Sequence, residues 1–200
     1  MVDYKIILAS NSPRRRELLA GLDLDFEVRV LLGIDESYPD TLPVTEVAEY
    51  IAAKKAAAYQ QLMAADELVV TADTVVIVGD EVLGKPADAA EAALMLQKLS
   101  GRSHQVVTGV CLTTLQQTVR FSVATDVTFK PLTAEEIDYY ITKYQPFDKA
   151  GAYGIQEWIG YIGCTGLRGS YYNVMGLPVQ RIYAELRQFT RPHSLPDCRQ

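Results

Sequence analysis

The order in which apolar runs recur along these 200 residues constrains the fold more than any single residue does. The first half alternates short apolar blocks with helix-period segments. A buried strand is expected over 5–9, a helix from Pro13 to Gly21, a strand over 26–32 and an amphipathic helix from about Thr45. On that last helix Val47, Ile51, Ala58 and Leu62 are expected to share one face. Ser12 is placed to cap the first helix, Pro13 to open it and Gly21 to end it. Segments 68–72 and 74–78 read as strands, and Gly79-Asp80 signals a hairpin into 81–83. Asp88 with Glu91, and Thr133 with Glu136, have capping-box spacing and open helices to Leu99 and to about Tyr144. Long strands over 106–115 and 118–129 follow one another directly. A Gly- and Tyr-rich stretch over 151–176 reads as β or loop, and a last helix runs from Pro178 to about Phe189. Alternation followed by adjacent long strands predicts an α/β or α+β chain with a mixed sheet, bent into two lobes. No repeat or linker-like break appears, so 1–189 reads as a single unit and 190–200 as a frayed tail.

Composition narrows the chemistry. With 48% hydrophobic and 22% charged residues the chain is neither disordered nor low-complexity. Its longest apolar run, Ala92 to Leu96, falls far short of the roughly 20 residues of a membrane span. No signal peptide is visible, and a cytoplasmic location is expected. A net charge of −6 argues against a nucleic-acid polymer as partner. The positive charge is nevertheless concentrated at Arg14, Arg15 and Arg16, a spot suited to a small anion. Three cysteines without CxxC spacing support neither a disulfide framework nor a zinc ribbon. Only His104 and His193 are present, so the chemistry must rest on carboxylates, lysines, arginines and hydroxyls.

Four groups of residues are candidates for it. In 9–15 (Ala-Ser-Asn-Ser-Pro-Arg-Arg) a strand, a hydroxyl-rich turn and a helix start meet. Free amides and the positive helix end attract phosphate there, Ser10 and Ser12 add hydroxyls, and arginine adds a bidentate fork. Successive helical residues point about 100° apart, so Arg14 and Arg15 are assigned to the ligand and Arg16 to solvent. A capped surface helix with scattered arginines fits the same spacing equally well. Asp73 ends the apolar run 68–72; alone it reads as a turn residue, and beside phosphate it would hold Mg²⁺ or activate water. Asp35-Glu36 is an oxygen-ligand pair that alone reads as solvated loop acids. Lys55, Lys85 before Pro86, and Lys149 each read as surface lysines or as point charges for a polyphosphate. P-loop, Rossmann, GxSxG and HExxH patterns are absent. His104 reads as a packing or capping histidine. The tyrosines, eight of twelve from Tyr139 onward, read as β packing or a partner surface.

In order, these stretches resemble the Maf family of nucleoside triphosphate pyrophosphatases. The resemblance runs over residues 5 to about 189, through 8–15, Ala72-Asp73-Thr74, Gly84-Lys85-Pro86, 99–101 with His104, 148–156 (Asp-Lys-Ala-Gly-Ala-Tyr-Gly-Ile-Gln) and 176–178. It implies a mixed twisted sheet with flanking helices, in two lobes around a deep cleft, related to inosine triphosphate pyrophosphatases. It also implies hydrolysis between the α- and β-phosphates with a divalent cation, Mg²⁺ or Mn²⁺, and a homodimer. Asp73 falls on the family's proton acceptor. Arg14, Thr74 and Gln156 are similar to the subgroup that hydrolyses dTTP and UTP, where the 7-methyl-GTP subgroup differs. Two departures are Glu157-Trp158, where glycine is usual, and Asp35-Glu36 in place of a Glu-Glu pair.

The expectation is therefore an enzyme. Ser10, Ser12, Arg14, Arg15, Lys55, Lys85 and Lys149 would grip the phosphates. Asp35 or Glu36, with Asp73, would hold the metal, and Thr74 and Gln156 would read the pyrimidine. The alternatives are a pyrophosphatase for a modified nucleotide such as 7-methyl-GTP, and a nucleotide-binding regulator without turnover, tied to the family's association with cell-division arrest.

Overall fold

A computed structural model describes residues 4–189; the tail over 190–200, with His193 and Cys198, lies outside the described residues. The chain begins β1 (Lys5–Leu8), α1 (Pro13–Ala20), β2 (Phe26–Val28), α2 (Val47–Gln60), β3 (Glu67–Val78) and β4 (Glu81–Leu83). It continues α3 (Ala89–Leu99), β5 (Ser103–Thr113), β6 (Thr118–Phe129), α4 (Ala134–Tyr144), α5 (Trp158–Gly163), β7 (Cys164–Arg168), α6 (Tyr171–Val174) and α7 (Val179–Leu186). Ser12, Asp88 and Thr133 each accept an amide three residues on, and Glu136 completes a capping box with Thr133. The Glu91 carboxylate takes the Ala87 amide rather than that of Asp88, so the second expected box is only half formed.

All strands join one seven-stranded mixed sheet, ordered β2-β1-β3-β5-β6-β7, with β4 also on β3. β1 pairs in parallel with β2 and β3, and the remaining pairs are antiparallel. The expected break at Asp73 does not occur. Segments 68–72 and 74–78 form one continuous strand, because β5 pairs along it from Val69↔Thr113 to Ile77↔Gln105. Its other edge is divided, since β1 stops at Leu8↔Val70 and β4 begins only at Val76↔Leu83. Residues 71–75 of β3 therefore have no strand on that side, and Asp73 sits in the gap. An unpaired stretch of β-edge leaves amides and carbonyls open to other partners.

Two principal apolar clusters flank this sheet. One joins α3 and α4 to Val106, Val127, Phe129, Tyr153 and Ile159, and the other joins α1 and α7 to β1, Leu68, Val70 and Val110. Helix α2 lies over β3 and β5 at Gly109, where an added Cβ would come within 2.2 Å of the Glu49 amide nitrogen. Its buried face is Val47, Ala48, Ile51, Ala52, Ala56 and Tyr59. Ala58 and Leu62 are not on it, and Leu62 is 59% exposed. Leu62 lies past the helix end at Gln60, and the alanines of the buried face let the helix approach the sheet closely, with the Thr71 hydroxyl donating to the Ala52 carbonyl at 2.8 Å.

Strand β2 is shorter than expected. Beyond Arg29, whose amide still reaches the Leu8 carbonyl at 3.1 Å, β1 has turned away and no neighbour remains. The Tyr59 hydroxyl instead donates to the Arg29 carbonyl (2.7 Å) and accepts the Leu31 amide (2.9 Å). Stretch 151–176 is also more helical than expected, holding α5 and α6 as well as β7. Helices this short are set by tertiary contacts rather than by propensity, and no periodicity announces them.

His104 packs in the core as expected, its Nε2 2.7 Å from the Tyr153 hydroxyl and its ring edge-on to Phe129. Burial pulls its pKa down to about 4 from 6.5. The unfolded chain therefore binds a proton between those values that the folded chain refuses, and stability falls as pH drops through that window. Between pH 7 and pH 5 the wild type should lose about 2 kcal/mol more than His104→Gln in urea denaturation. Equal pH dependence in the two proteins would remove this role from His104.

Candidate active site

The site is built where three chain segments reach the unpaired stretch of β3. The first is the turn from β1 into α1. The Ser10 hydroxyl accepts the Ser12 amide (3.2 Å) and the Ser12 hydroxyl accepts the Arg15 amide (3.4 Å), which winds the turn tightly against the helix start. Arg16 leaves toward Asn11 at the surface, as expected.

Arg15 differs from its expectation. Its guanidinium donates to the Gly176 carbonyl (2.8 Å), the Ala72 carbonyl (2.9 Å) and the Thr74 hydroxyl (3.0 Å). It fills in for the missing strand at the edge of β3 and ties that edge to the segment before α7. Burial lowers its pKa, opposed by the Asp73 and Glu36 charges. With these donors committed, Arg15 shapes the wall of the cleft rather than offering a free fork to phosphate.

The second segment is α2. Lys55 projects into the gap and meets Asp73 at 2.8 Å and Glu36 at 3.1 Å, with only 12% of its side chain exposed. The neighbouring Lys54 takes Asp35 at 2.7 Å. Lys54, together with the Ser37 amide and hydroxyl, holds the Asp35 carboxyl below its ordinary range. The expected acidic pair is thus split: Glu36 lines the cleft and Asp35 faces Lys54 and solvent. Adjacent residues in an extended loop point to opposite sides, so only one of the two can reach Asp73.

The third segment runs from Asp148 to Gln156. Arg14 reaches across to Asp148 at 2.8 Å, and Asp148 also binds Lys149 at 2.8 Å. Burial raises the Asp148 pKa, but hydrogen bonds from Lys149 and Arg14 outweigh it and the net shift is downward. Lys149 is 8% exposed and makes a second ion pair, to Glu157, at 3.0 Å.

Together these segments enclose a cleft with two compartments. The outer one is lined by Ser10, Asn11, Glu36, Tyr59 and the loop over 30–34. The inner one is lined by Thr74, Val76, Val106, Lys149, Tyr153, Gln156 and Met175. Ser12, Arg14, Arg15, Lys55, Lys85 and Asp148 stand at their junction and line both. Every residue that the sequence assigned to phosphate, base or metal, except Asp35, therefore lines the same cleft. Among the described residues Lys85 is in no ion pair, so its charge is available to a ligand. A channel with cations at its waist, and with Val76, Val106, Tyr153 and Met175 beside the polar groups of its inner end, suits an anionic chain carrying a planar ring.

The inner compartment is rich in acceptors. Thr108 donates to the Asn173 carbonyl (3.2 Å) and lies 2.9 Å from the Thr74 hydroxyl, which itself accepts from Arg15. That order commits the Thr74 proton to Thr108 and leaves Thr74 a lone pair. Gln156 Oε1 is buried and has no protein partner. A buried acceptor left open costs about 1–3 kcal/mol, which a ligand donor would recover.

Sequence reading missed Asp148, which bridges Arg14 and Lys149, although its adjacency to Lys149 was a signal. It had no signal for Tyr140 on α4, whose hydroxyl meets Glu157 and the Gly154 amide.

Residues 5–189 match the family described as Maf-like protein. The chain is 61% identical over 185 residues to the dTTP/UTP pyrophosphatase of Phocaeicola vulgatus, across 92% of this chain and 96% of that protein. It is 61% identical over 186 residues to the dTTP/UTP pyrophosphatase of Parabacteroides distasonis, across 93% and 96%. Among solved structures, a HAM1 protein from Coxiella burnetii covers 92% of this chain and 99% of its own at 15% identity, with a TM-score of 0.48. The match spans every element from β1 to α7 and all the cleft residues, and the chain belongs to the Maf-like protein family.

Proposed function

We propose that this chain hydrolyses dTTP and UTP to the nucleoside monophosphate and pyrophosphate, as one catalytic domain over 1–189. The observation that carries this reading is the convergence of Arg14, Lys55, Lys85 and Lys149 on a cleft that also presents the Asp73 carboxylate and ends in the Thr74 and Gln156 acceptors. The names of the two relatives support the same substrates.

The triphosphate would lie along the cationic waist, with the Ser12 hydroxyl adding a donor there and the Ser10 hydroxyl one at its outer end. Thymine and uracil present an N3–H donor, which the open acceptors of Gln156 and Thr74 complement; cytosine presents a lone pair at that atom. Asp73, held in place by Lys55, takes a proton from the water that attacks the α-phosphorus, and pyrophosphate leaves with the electrons of the broken bond. Positioning and charge neutralisation do most of the work in phosphoryl transfer, so no histidine is required.

A divalent cation, Mg²⁺ or Mn²⁺, would supply further neutralisation of phosphate charge. Among the described residues no three His, Cys, Asp or Glu side chains cluster. Glu36 and Asp73 already converge on one cation, the Lys55 ammonium, and Mg²⁺ commonly takes one or two carboxylates with substrate oxygens. That pair fits the ion, and Asp35 is withdrawn from the set.

No described helix is long and apolar enough to cross a membrane. A cytoplasmic homodimer is part of the proposal, with exposed Tyr161, Tyr172 and Tyr183 as its candidate surface. The deciding experiment incubates the protein with Mg²⁺ and dTTP, UTP, CTP or 7-methyl-GTP and measures pyrophosphate separately from phosphate. Pyrophosphate from dTTP and UTP is expected. Phosphate as the direct product would overturn α–β cleavage, and tight binding without product would replace the enzyme by a regulator.

A further inference from the structure

Glu157, which follows Gln156 directly, is not a loose surface acid. Four-fifths of its side chain is buried, and it lines neither compartment of the cleft. One carboxylate oxygen lies 3.0 Å from Lys149 Nζ, and the other accepts from the Tyr140 hydroxyl. Tyr140 is fully buried on α4 and accepts the Gly154 amide at 3.0 Å. The loop also presses directly on this carboxylate: a Cβ on Gly154 would lie 2.9 Å from Glu157 Cδ and 3.0 Å from Gln156 Nε2. One carboxylate thus touches the lysine at the phosphate end and, through Tyr140, the backbone that carries Gln156 at the base end.

We propose that Glu157 is a positioning residue that sets Lys149 and the Gly154–Gln156 loop in a fixed relation, so that phosphate grip and pyrimidine choice depend on the same carboxylate. The inference rests on the reading of the cleft given above. Physically, Lys149 alone would be free to pair only with Asp148, which is 58% exposed, and the ammonium would follow that carboxylate toward solvent. Glu157 holds it inward. The Gly154 amide likewise would have no acceptor without the Tyr140 hydroxyl, and a buried amide without one moves its loop until it finds one. Burial and the Glu157 charge push the Tyr140 pKa upward, which keeps its proton available to Glu157.

The test uses Glu157→Gln and Tyr140→Phe, singly and together, with steady-state kinetics on UTP and CTP and thermal melts alongside. Each single change is expected to raise KM for UTP and lower the UTP-over-CTP preference by about tenfold, the loss of one charged hydrogen bond. The double variant should be no worse than the poorer single, since both changes break one linkage. Melting changes with kinetics and preference within twofold of wild type would overturn the proposal, as would effects that multiply in the double variant. If Tyr140→Phe does not fold, Glu157→Gln alone decides. Lys149→Met and Gln156→Ala separate the two levels of inference. If these leave UTP turnover intact, the reading of the cleft falls and this inference with it. If they impair turnover and Glu157→Gln does not, only the inference about Glu157 falls.

Discussion

Asp73→Asn is expected to lower kcat for UTP and dTTP by about 10²–10⁴, the usual worth of a positioned proton acceptor. The substitution keeps the side chain's size but removes its negative charge and its capacity to take a proton. Nucleotide binding should survive. Lys55 loses its 2.8 Å partner, keeps Glu36 at 3.1 Å, and has more of its charge free for phosphate. The dissociation constant for UTP, measured by calorimetry without turnover, should therefore stay the same or tighten. A variant with wild-type kcat would remove Asp73 from the chemistry. One with abolished binding would show that Asp73 holds the cleft together instead.

Gly109→Ala should produce the largest loss of stability of any single methyl group added to the sheet. The new Cβ would lie 2.2 Å from the Glu49 nitrogen, 2.3 Å from its Cα and 2.4 Å from the Ala48 carbonyl carbon. All three are backbone atoms of α2, so no rotamer change can relieve the clash. The helix must lift from β5 or the strand must bend. Overpacking of this kind costs about 3 kcal/mol or more, and for a chain of this size that corresponds to roughly 6–12 °C in Tm. The site feels it too, because α2 carries Lys55 and is tied to β3 through the Thr71–Ala52 hydrogen bond. Lowered Tm with lowered activity is expected. An unchanged Tm with unchanged kinetics would show that α2 does not rest on the sheet at Gly109.

Much of the fold is legible in the sequence. Capping spacings placed the starts of α1, α3 and α4 because a cap is a contact between residues three apart, readable in a local window. The Gly79-Asp80 hairpin is equally local. The buried face of α2 was less legible, since Gly109 and Thr71, which bring the sheet close enough to favour alanine, are far away in sequence. The same holds for Asp73. Its apolar flanks suggested the end of a strand, and only the strand order shows a continuous β3 with one edge left open.

The site divides along the same line. By residue type and motif alone, the chain declared an acidic, histidine-poor protein with a concentrated cationic spot and a resemblance to the family to which it belongs. Residue type sets what charge and how many donors a side chain carries, and no folding is needed to know it. The tertiary structure decided how those donors and charges are spent. Arg15 and Arg14 are identical neighbours, yet one is committed to the Ala72 and Gly176 carbonyls and the other reaches across the cleft to Asp148. Asp35 and Glu36 are adjacent acids, yet Lys54 takes one and Lys55 brings the other to Asp73. Glu157 and Lys149 lie eight residues apart, yet Glu157 binds both Lys149 and Tyr140 behind the cleft wall. Each outcome is a competition among partners distant in sequence, and a donor given to one partner is lost to another. Local pattern carries no information about that competition, and the packed chain resolves it.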